Sequence, residues 1–183
     1  YETLLDLIKQ SGGQPMLVTG GSAANTVQAL ALLGRPTALM GTVGRDLLGQ
    51  QFLEEITAAG VMPLLKTSDT PTAQVLCLIT PNGHRTCRTY LGASIEFTGN
   101  DLQATQFSGL RLVHIEGYSL PNQDLTLRSM QLAKEAGALV SFDLSSHEIV
   151  AAHRPLLTHL LQNYVDIAIG NEEEIKALFN RSY

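Results

Sequence analysis

Two glycines, a run of small residues and an amide, Gly20-Gly21-Ser22-Ala23-Ala24-Asn25, suit this 183-residue chain to holding a small, oxygen-rich ligand. Glycines let a backbone turn sharply and let a ligand approach main-chain N–H groups. Asn25, at a helix start, can hydrogen-bond a hydroxylated ligand or cap the helix. The apolar, β-prone residues 16–19 precede the loop, and Val27, Leu30, Ala31 and Leu33 follow at helical spacing. The loop therefore reads as joining a short strand to a helix. Further polar candidates stand at the ends of apolar runs: Gly44-Arg45-Asp46, Glu116-Gly117, Asp143 with Ser145 and Ser146, and Asn171 with Glu174.

The elements that position these groups follow from hydrophobic period and stop signals. A helix over 25–33 stops at Gly34, with Pro36 just beyond. Residues 37–43 read as a strand. Asp46 caps a second helix whose Leu48, Phe52 and Ile56 form an i, i+4 stripe ending at Gly60. Residues 61–67 read as a strand, and 73–80 with 85–91 as a hairpin around Pro81-Asn82-Gly83-His84. Beyond residue 110, strands over 112–116, 138–143 and 165–170 alternate with helices over 122–136, around 155–162 and over 172–179. Such alternation, with strands apolar along their length, implies an α/β fold with a mostly parallel sheet covered on both faces. The hairpin at 73–91 is the one antiparallel feature, either a lid or a sheet extension. Ligands of such sheets bind beyond the carboxyl ends of the strands, where the polar candidates fall.

At 44% apolar and 16% charged residues, the composition is that of a folded domain, and the length fits a single domain over 1–183. A net charge of −5 argues against a nucleic-acid partner. No run approaches a membrane span and no secretory leader opens the chain, so no membrane partner and a cytoplasmic location are expected. If Asn82 and Gly83 are the two turn residues, Cys77 faces Arg88 and Cys87 faces Leu78. The two sulfurs then lie on opposite faces of the ribbon, as free thiols acting as buried small hydrophobes. His147, His153 and His159 recur every six residues and share no helix face, so neither zinc nor a catalytic triad is expected.

On these residues the chain resembles the phosphofructokinase B (PfkB) family, the ribokinase-like sugar and nucleoside kinases. Gly20, Gly21, Asn25, Gly34 and Gly44 carry the spacing of the first family signature, with Val27 where the pattern has a small residue. Gly44-Arg45-Asp46-Leu47-Leu48-Gly49 resembles the family's Gly-x-Asp-x-x-Gly, and Asn171-Glu172-Glu173-Glu174 its Asn-x-x-Glu. The resemblance implies a ribokinase-like three-layer sandwich, ATP and Mg²⁺ as cofactors, a sugar or nucleoside as substrate, and a homodimer through the ribbon. It implies that Gly20, Gly21, Ser22, Ala23, Ala24 and Asn25 hold the sugar hydroxyls and that Glu116 contacts the sugar. Asn171 is implied near the nucleotide phosphates, and Glu174 as orienting waters around Mg²⁺, which takes few direct carboxylates. The segments 82–86, 90–93 and 142–146, with His153-Arg154, resemble the adenosine-kinase-like branch, and Ser22 replaces the Lys common in ribokinase itself.

The family's second signature, a Gly-Ala-Gly-Asp segment supplying the base, occurs nowhere in these residues. The family's opening strand, with its sugar-contacting Asp, is missing too, so the chain reads as an internal fragment, inactive alone, with no catalytic residue of its own. Phosphoryl transfer rests on positioning and electrostatic stabilisation, which that segment provides. Simpler readings stand beside these. Asn171 and Glu174 form a capping box, Asp46 a helix cap, Glu116 a strand-end carboxylate, and the run from Asp143 to Ser146 an Asx turn. Two other functions compete with the kinase. One is a catalytically dead, kinase-like protein that senses a metabolite or holds a partner. The other is a dinucleotide-dependent oxidoreductase, against which Ala24 and Thr26 stand where its fingerprint needs glycine.

Overall fold

The computed structural model describes residues 2–12 and 15–180. They divide between Phe97 and Thr98 into two compact units. The first unit runs α1 (Glu2–Ser11), α2 (Ser22–Leu32), β1 (Thr37–Gly44), α3 (Leu47–Ala58), β2 (Val61–Ser68), β3 (Gln74–Ile79) and β4 (Arg85–Tyr90). β1 and β2 pair in parallel, from Thr37 opposite Val61 to Gly44 opposite Ser68, and α3 is the crossover that parallel pairing requires. Ile56, at the end of the α3 stripe, is fully buried, and Val43 and Val61 are buried in the same unit. Of the stripe predicted on α3, Ile56 is buried while Leu48 and Phe52 are half-buried.

Residues 15–20 form no strand, contrary to the expectation for 16–19. Met16, Leu17 and Val18 are exposed at 84, 60 and 67%. β-propensity describes fit to a pleated, half-buried surface, and among the described residues no strand pairs with this one. The helix that follows begins at Ser22, three residues earlier than expected.

β3 and β4 form the expected antiparallel hairpin, in a different register. Gly83 donates to the Thr80 carbonyl at 2.8 Å, Thr80 donates to the His84 carbonyl at 3.0 Å, and Gly83 has φ +83°. That is a three-residue loop with glycine in the left-handed region, not the two-residue turn expected. One extra loop residue slips the pairing by one, which transfers side chains between faces. Cys77 therefore stands opposite Cys87, and both thiols are exposed, not buried and not on opposite faces.

The second unit runs β5 (Leu112–Glu116), α4 (Gln123–Glu135), β6 (Leu139–Asp143), α5 (His147–Asn163), β7 (Ile167–Ile169) and α6 (Glu172–Phe179). The sheet order is β5-β6-β7, all parallel. Its core contains Phe107, Met130, Leu132, Val140, Phe142, Leu157 and Leu160. Asn122, Ser146 and Asn171 cap α4, α5 and α6 by accepting from backbone N–H groups. α5 bends at His153 (φ −115°, ψ 18°), two residues before Pro155, which has no N–H to give the helix. The mostly parallel α/β expectation holds, though the described parallel strands form a two-stranded and a three-stranded sheet. Covering on both faces is incomplete at β7, where all three residues are exposed.

Candidate functional site

The glycine turn opens α2. Gly21 is its N-cap, with φ +105°, a conformation that costs a residue bearing Cβ about 1–2 kcal/mol. The first helical bond runs from the Asn25 N–H to the Gly21 carbonyl at 2.8 Å. The N–H groups of Ala23 and Ala24 precede it and have no intrahelical acceptor. No side chain caps this end, and no acidic residue lies in its first turn. No capping side chain and no first-turn carboxylate therefore offsets the positive end of the helix dipole. Asn25 lies inside that first turn, so it does not cap the helix, and it is exposed. Ala24 is buried, while a Cβ on Gly20 would meet nothing within 4 Å. Gly20 is therefore not required by the packing of the chain itself.

The Gly-x-Asp-x-x-Gly segment is built for support. Asp46 Oδ1 accepts from the Gly49 N–H at 2.8 Å and the Thr72 hydroxyl at 2.6 Å, and Oδ2 accepts from the Thr72 N–H at 2.8 Å. The Thr72 hydroxyl in turn accepts from the Gly44 N–H at 2.9 Å. Burial pushes the Asp46 carboxyl up, but the Thr72 and Gly49 hydrogen bonds outweigh it and hold the group below its ordinary value. A Cβ on Gly49 would lie 2.1 Å from the Gly44 carbonyl oxygen, so glycine is the residue that fits. Thr72, which ties these pieces together, carries no sequence signal; it lies 26 residues from Asp46 and only folding brings it there.

In the second unit the parallel register gathers the late candidates at one sheet edge. Glu116 ends β5 opposite Asp143, which ends β6, and Asp143 stands opposite Ile169 at the end of β7. Gly170 and Asn171 follow directly. Asp143 Oδ1 accepts from the Ser145 N–H at 2.7 Å, the expected Asx turn, with Ser145 at φ +70°. Glu174 is 5% exposed. Its Oε2 accepts from the Asn171 N–H at 2.9 Å and its Oε1 from Asn171 Nδ2 at 2.8 Å, while Asn171 Oδ1 accepts from the Glu174 N–H at 3.0 Å. The capping box is therefore complete, and each carboxylate oxygen keeps a lone pair for a further donor.

Tyr118, two residues past Glu116, went unmarked in the sequence. Its hydroxyl donates to the Ser145 carbonyl at 3.3 Å. Desolvation first, then the charges of Glu116, Glu148, Glu174 and Asp143, push its phenol above the ordinary value. Four carboxylates thus bear on one exposed phenol, and this sheet edge is acidic. Among the described residues, no three His, Cys, Asp or Glu side chains stand close enough to hold a metal ion directly. The donor set fits a hydrated cation reached through water, as Mg²⁺ prefers, and not a protein cage.

Residues 6–182 match the model of the pfkB family carbohydrate kinase. A nucleoside kinase of Methanothermobacter thermautotrophicus is 28% identical over 167 residues, covering 88% of this chain and 52% of the relative. Fructokinase-1 of Zea mays is 29% identical over 169 residues, covering 87% and 52%. Among solved structures, the adenosine kinase of Sinorhizobium meliloti superposes with TM-score 0.88 at 29% identity, over 97% of this chain and 57% of that one. A probable sugar kinase protein from Rhizobium etli CFN 42 gives TM-score 0.88 at 30% identity, over 97% and 56%. The chain spans about half the length of the curated relatives it matches.

Proposed function

Because the chain belongs to the pfkB family of carbohydrate kinases, we propose that its residues bind and orient the reactants of ATP-dependent phosphoryl transfer to a hydroxyl of a sugar or nucleoside. Backbone N–H groups at the start of α2, with Gly20, Gly21 and the exposed Asn25 amide, take the acceptor's hydroxyls. In the second unit, taken by itself, the Glu116 carboxylate at the end of β5 suits a hydroxyl donor of a sugar-like ligand. Asn171 serves the nucleotide phosphates. Glu174, buried and aligned by Asn171, orients waters around Mg²⁺. Held there, Mg²⁺ would supply positive charge against the phosphates. Such transfer depends on positioning and electrostatics more than on covalent chemistry, so residues that only hold and align still decide the rate. No residue in 1–183 stands in a Gly-Ala-Gly-Asp segment, so no proton acceptor is assigned among them.

The observation that supports this reading is Glu174: an almost wholly buried carboxylate in the first turn of α6, fixed by Asn171, which follows β7 in the sheet where Glu116 and Asp143 end their strands. A capping box alone needs no such burial. The relatives include kinases named for nucleosides and for fructose, so the acceptor is proposed only as the class that joins them. The hairpin of β3 and β4, exposed along most of β4, is carried as either a lid or a sheet extension. No helix of the described residues is long and apolar enough to cross a membrane, and the cytoplasm is the proposed compartment.

The test is ADP release by the whole protein with MgATP and a panel of free sugars and nucleosides. Release dependent on at least one acceptor is expected. Acceptor binding without release would favour the catalytically dead, metabolite-sensing reading, and neither binding nor release would overturn both.

A further inference from the structure

The hairpin carries a second chemistry that the kinase reading does not use. Thr80 donates to the His84 carbonyl, which fixes the alternation of the ladder: 80 with 84, 78 with 86 and 76 with 88 are hydrogen-bonded pairs. Cys77 and Cys87 therefore occupy a non-hydrogen-bonded pair, where facing side chains come closest. Cα atoms at such sites are about 4.5 Å apart, inside the range that a disulfide spans. Val75, Ile79, Thr89 and Arg85 share the face with them, and all are exposed, so a small oxidant has open access.

We propose that Cys77 and Cys87 are a redox-active dithiol, which a low-molecular-weight disulfide converts reversibly into an intramolecular disulfide stapling β3 to β4. The thiolate of one cysteine attacks the small disulfide, forming a mixed disulfide and releasing one small thiol. The facing cysteine then attacks the protein sulfur of that mixed disulfide and releases the second small thiol. Two protein thiols are oxidised by two electrons, one small disulfide is reduced to two thiols, and the two protons pass to the released thiolates. The second step is fast because the resolving sulfur is already in place. Desolvation and Cys87 push the Cys77 thiol up, while the Arg85 guanidinium on the same face opposes them and favours thiolate. A staple at directly opposed strand positions, open to solvent, is the reducible and regulatory kind, not the kind that persists as a structural brace.

The experiment is independent of phosphoryl transfer. The full chain, reduced and then exposed to oxidised glutathione, is denatured, alkylated and weighed by intact mass spectrometry. The expected product is a monomer lighter by two hydrogens, with both cysteines protected from alkylation and a 77–87 linked peptide. Its formation rate is independent of protein concentration, and dithiothreitol reverses it. Amide exchange across 74–90 slows several-fold in the oxidised form. Cys77→Ser and Cys87→Ser each stop at a single glutathione adduct. A stable double adduct, a disulfide-linked dimer as the main product, or two thiols that remain alkylatable would each overturn the inference.

Discussion

Asp46 receives both polar groups of Thr72, the hydroxyl on Oδ1 at 2.6 Å and the N–H on Oδ2 at 2.8 Å, while capping α3 through the Gly49 N–H. One carboxylate thus joins a helix start, the end of β1 and the segment leading into the hairpin. Asp46→Ala leaves those donors unmatched and is expected to cost about 1–3 kcal/mol, as is Thr72→Val to a lesser degree. Because the two side chains share one network, the double variant is expected to lose less than the sum of the singles in urea unfolding. Additive losses would show that the contact is incidental.

The same carboxylate sets a pH dependence. Its folded-state value is depressed, so the unfolded chain binds the proton more readily and stability rises with pH through this range. Its contribution is complete above the ordinary aspartate value of about 3.9 and is lost as pH falls through the lower folded value. Urea midpoints of the parent and Asp46→Asn are expected to differ at pH 7 and to converge below about pH 4. A gap that persists or widens in acid would exclude this assignment.

Glycines in the two family-like segments separate structural from ligand roles. Gly49→Ala forces a Cβ to 2.1 Å from the Gly44 carbonyl oxygen and is expected to destabilise the fold by about 2 kcal/mol or more. Gly20→Ala meets nothing within 4 Å, so its thermal midpoint is expected to match the parent. If the turn holds the acceptor, the same change raises the acceptor KM about tenfold, because the methyl group stands where the ligand approaches the backbone. Unchanged KM in Gly20→Ala would remove this turn from the acceptor site.

Glu174→Gln keeps a capping residue but turns one acceptor into a donor facing Asn171. A loss of about 1 kcal/mol in stability is expected. The concentration of Mg²⁺ giving half-maximal activity in the whole protein is expected to rise about tenfold or more, as outer-sphere partners of metal sites commonly behave. A stability loss with no change in Mg²⁺ dependence would leave Glu174 a helix cap alone.

Most element boundaries were legible in the sequence because their signals are local. The apolar period along α3, the Asp46 and Asn171 caps, and the glycine stops at 34, 60 and 137 each act within a turn or two of chain. The Asx turn at Asp143 and the capping box of Asn171 with Glu174 were legible for the same reason. The tertiary structure decided what depends on partners far along the chain. Residues 16–19 have the composition of a strand, but a strand exists only where another supplies its ladder. The hairpin's composition left its register open to a one-residue slip, and a third loop residue with Gly83 at positive φ brought Cys77 and Cys87 face to face. Thr72 reached Asp46, and four carboxylates came to bear on Tyr118, by folding alone. Local pattern fixes dihedral angles and buried faces, whereas pairing, register and charge proximity belong to contacts between segments that the sequence lists far apart.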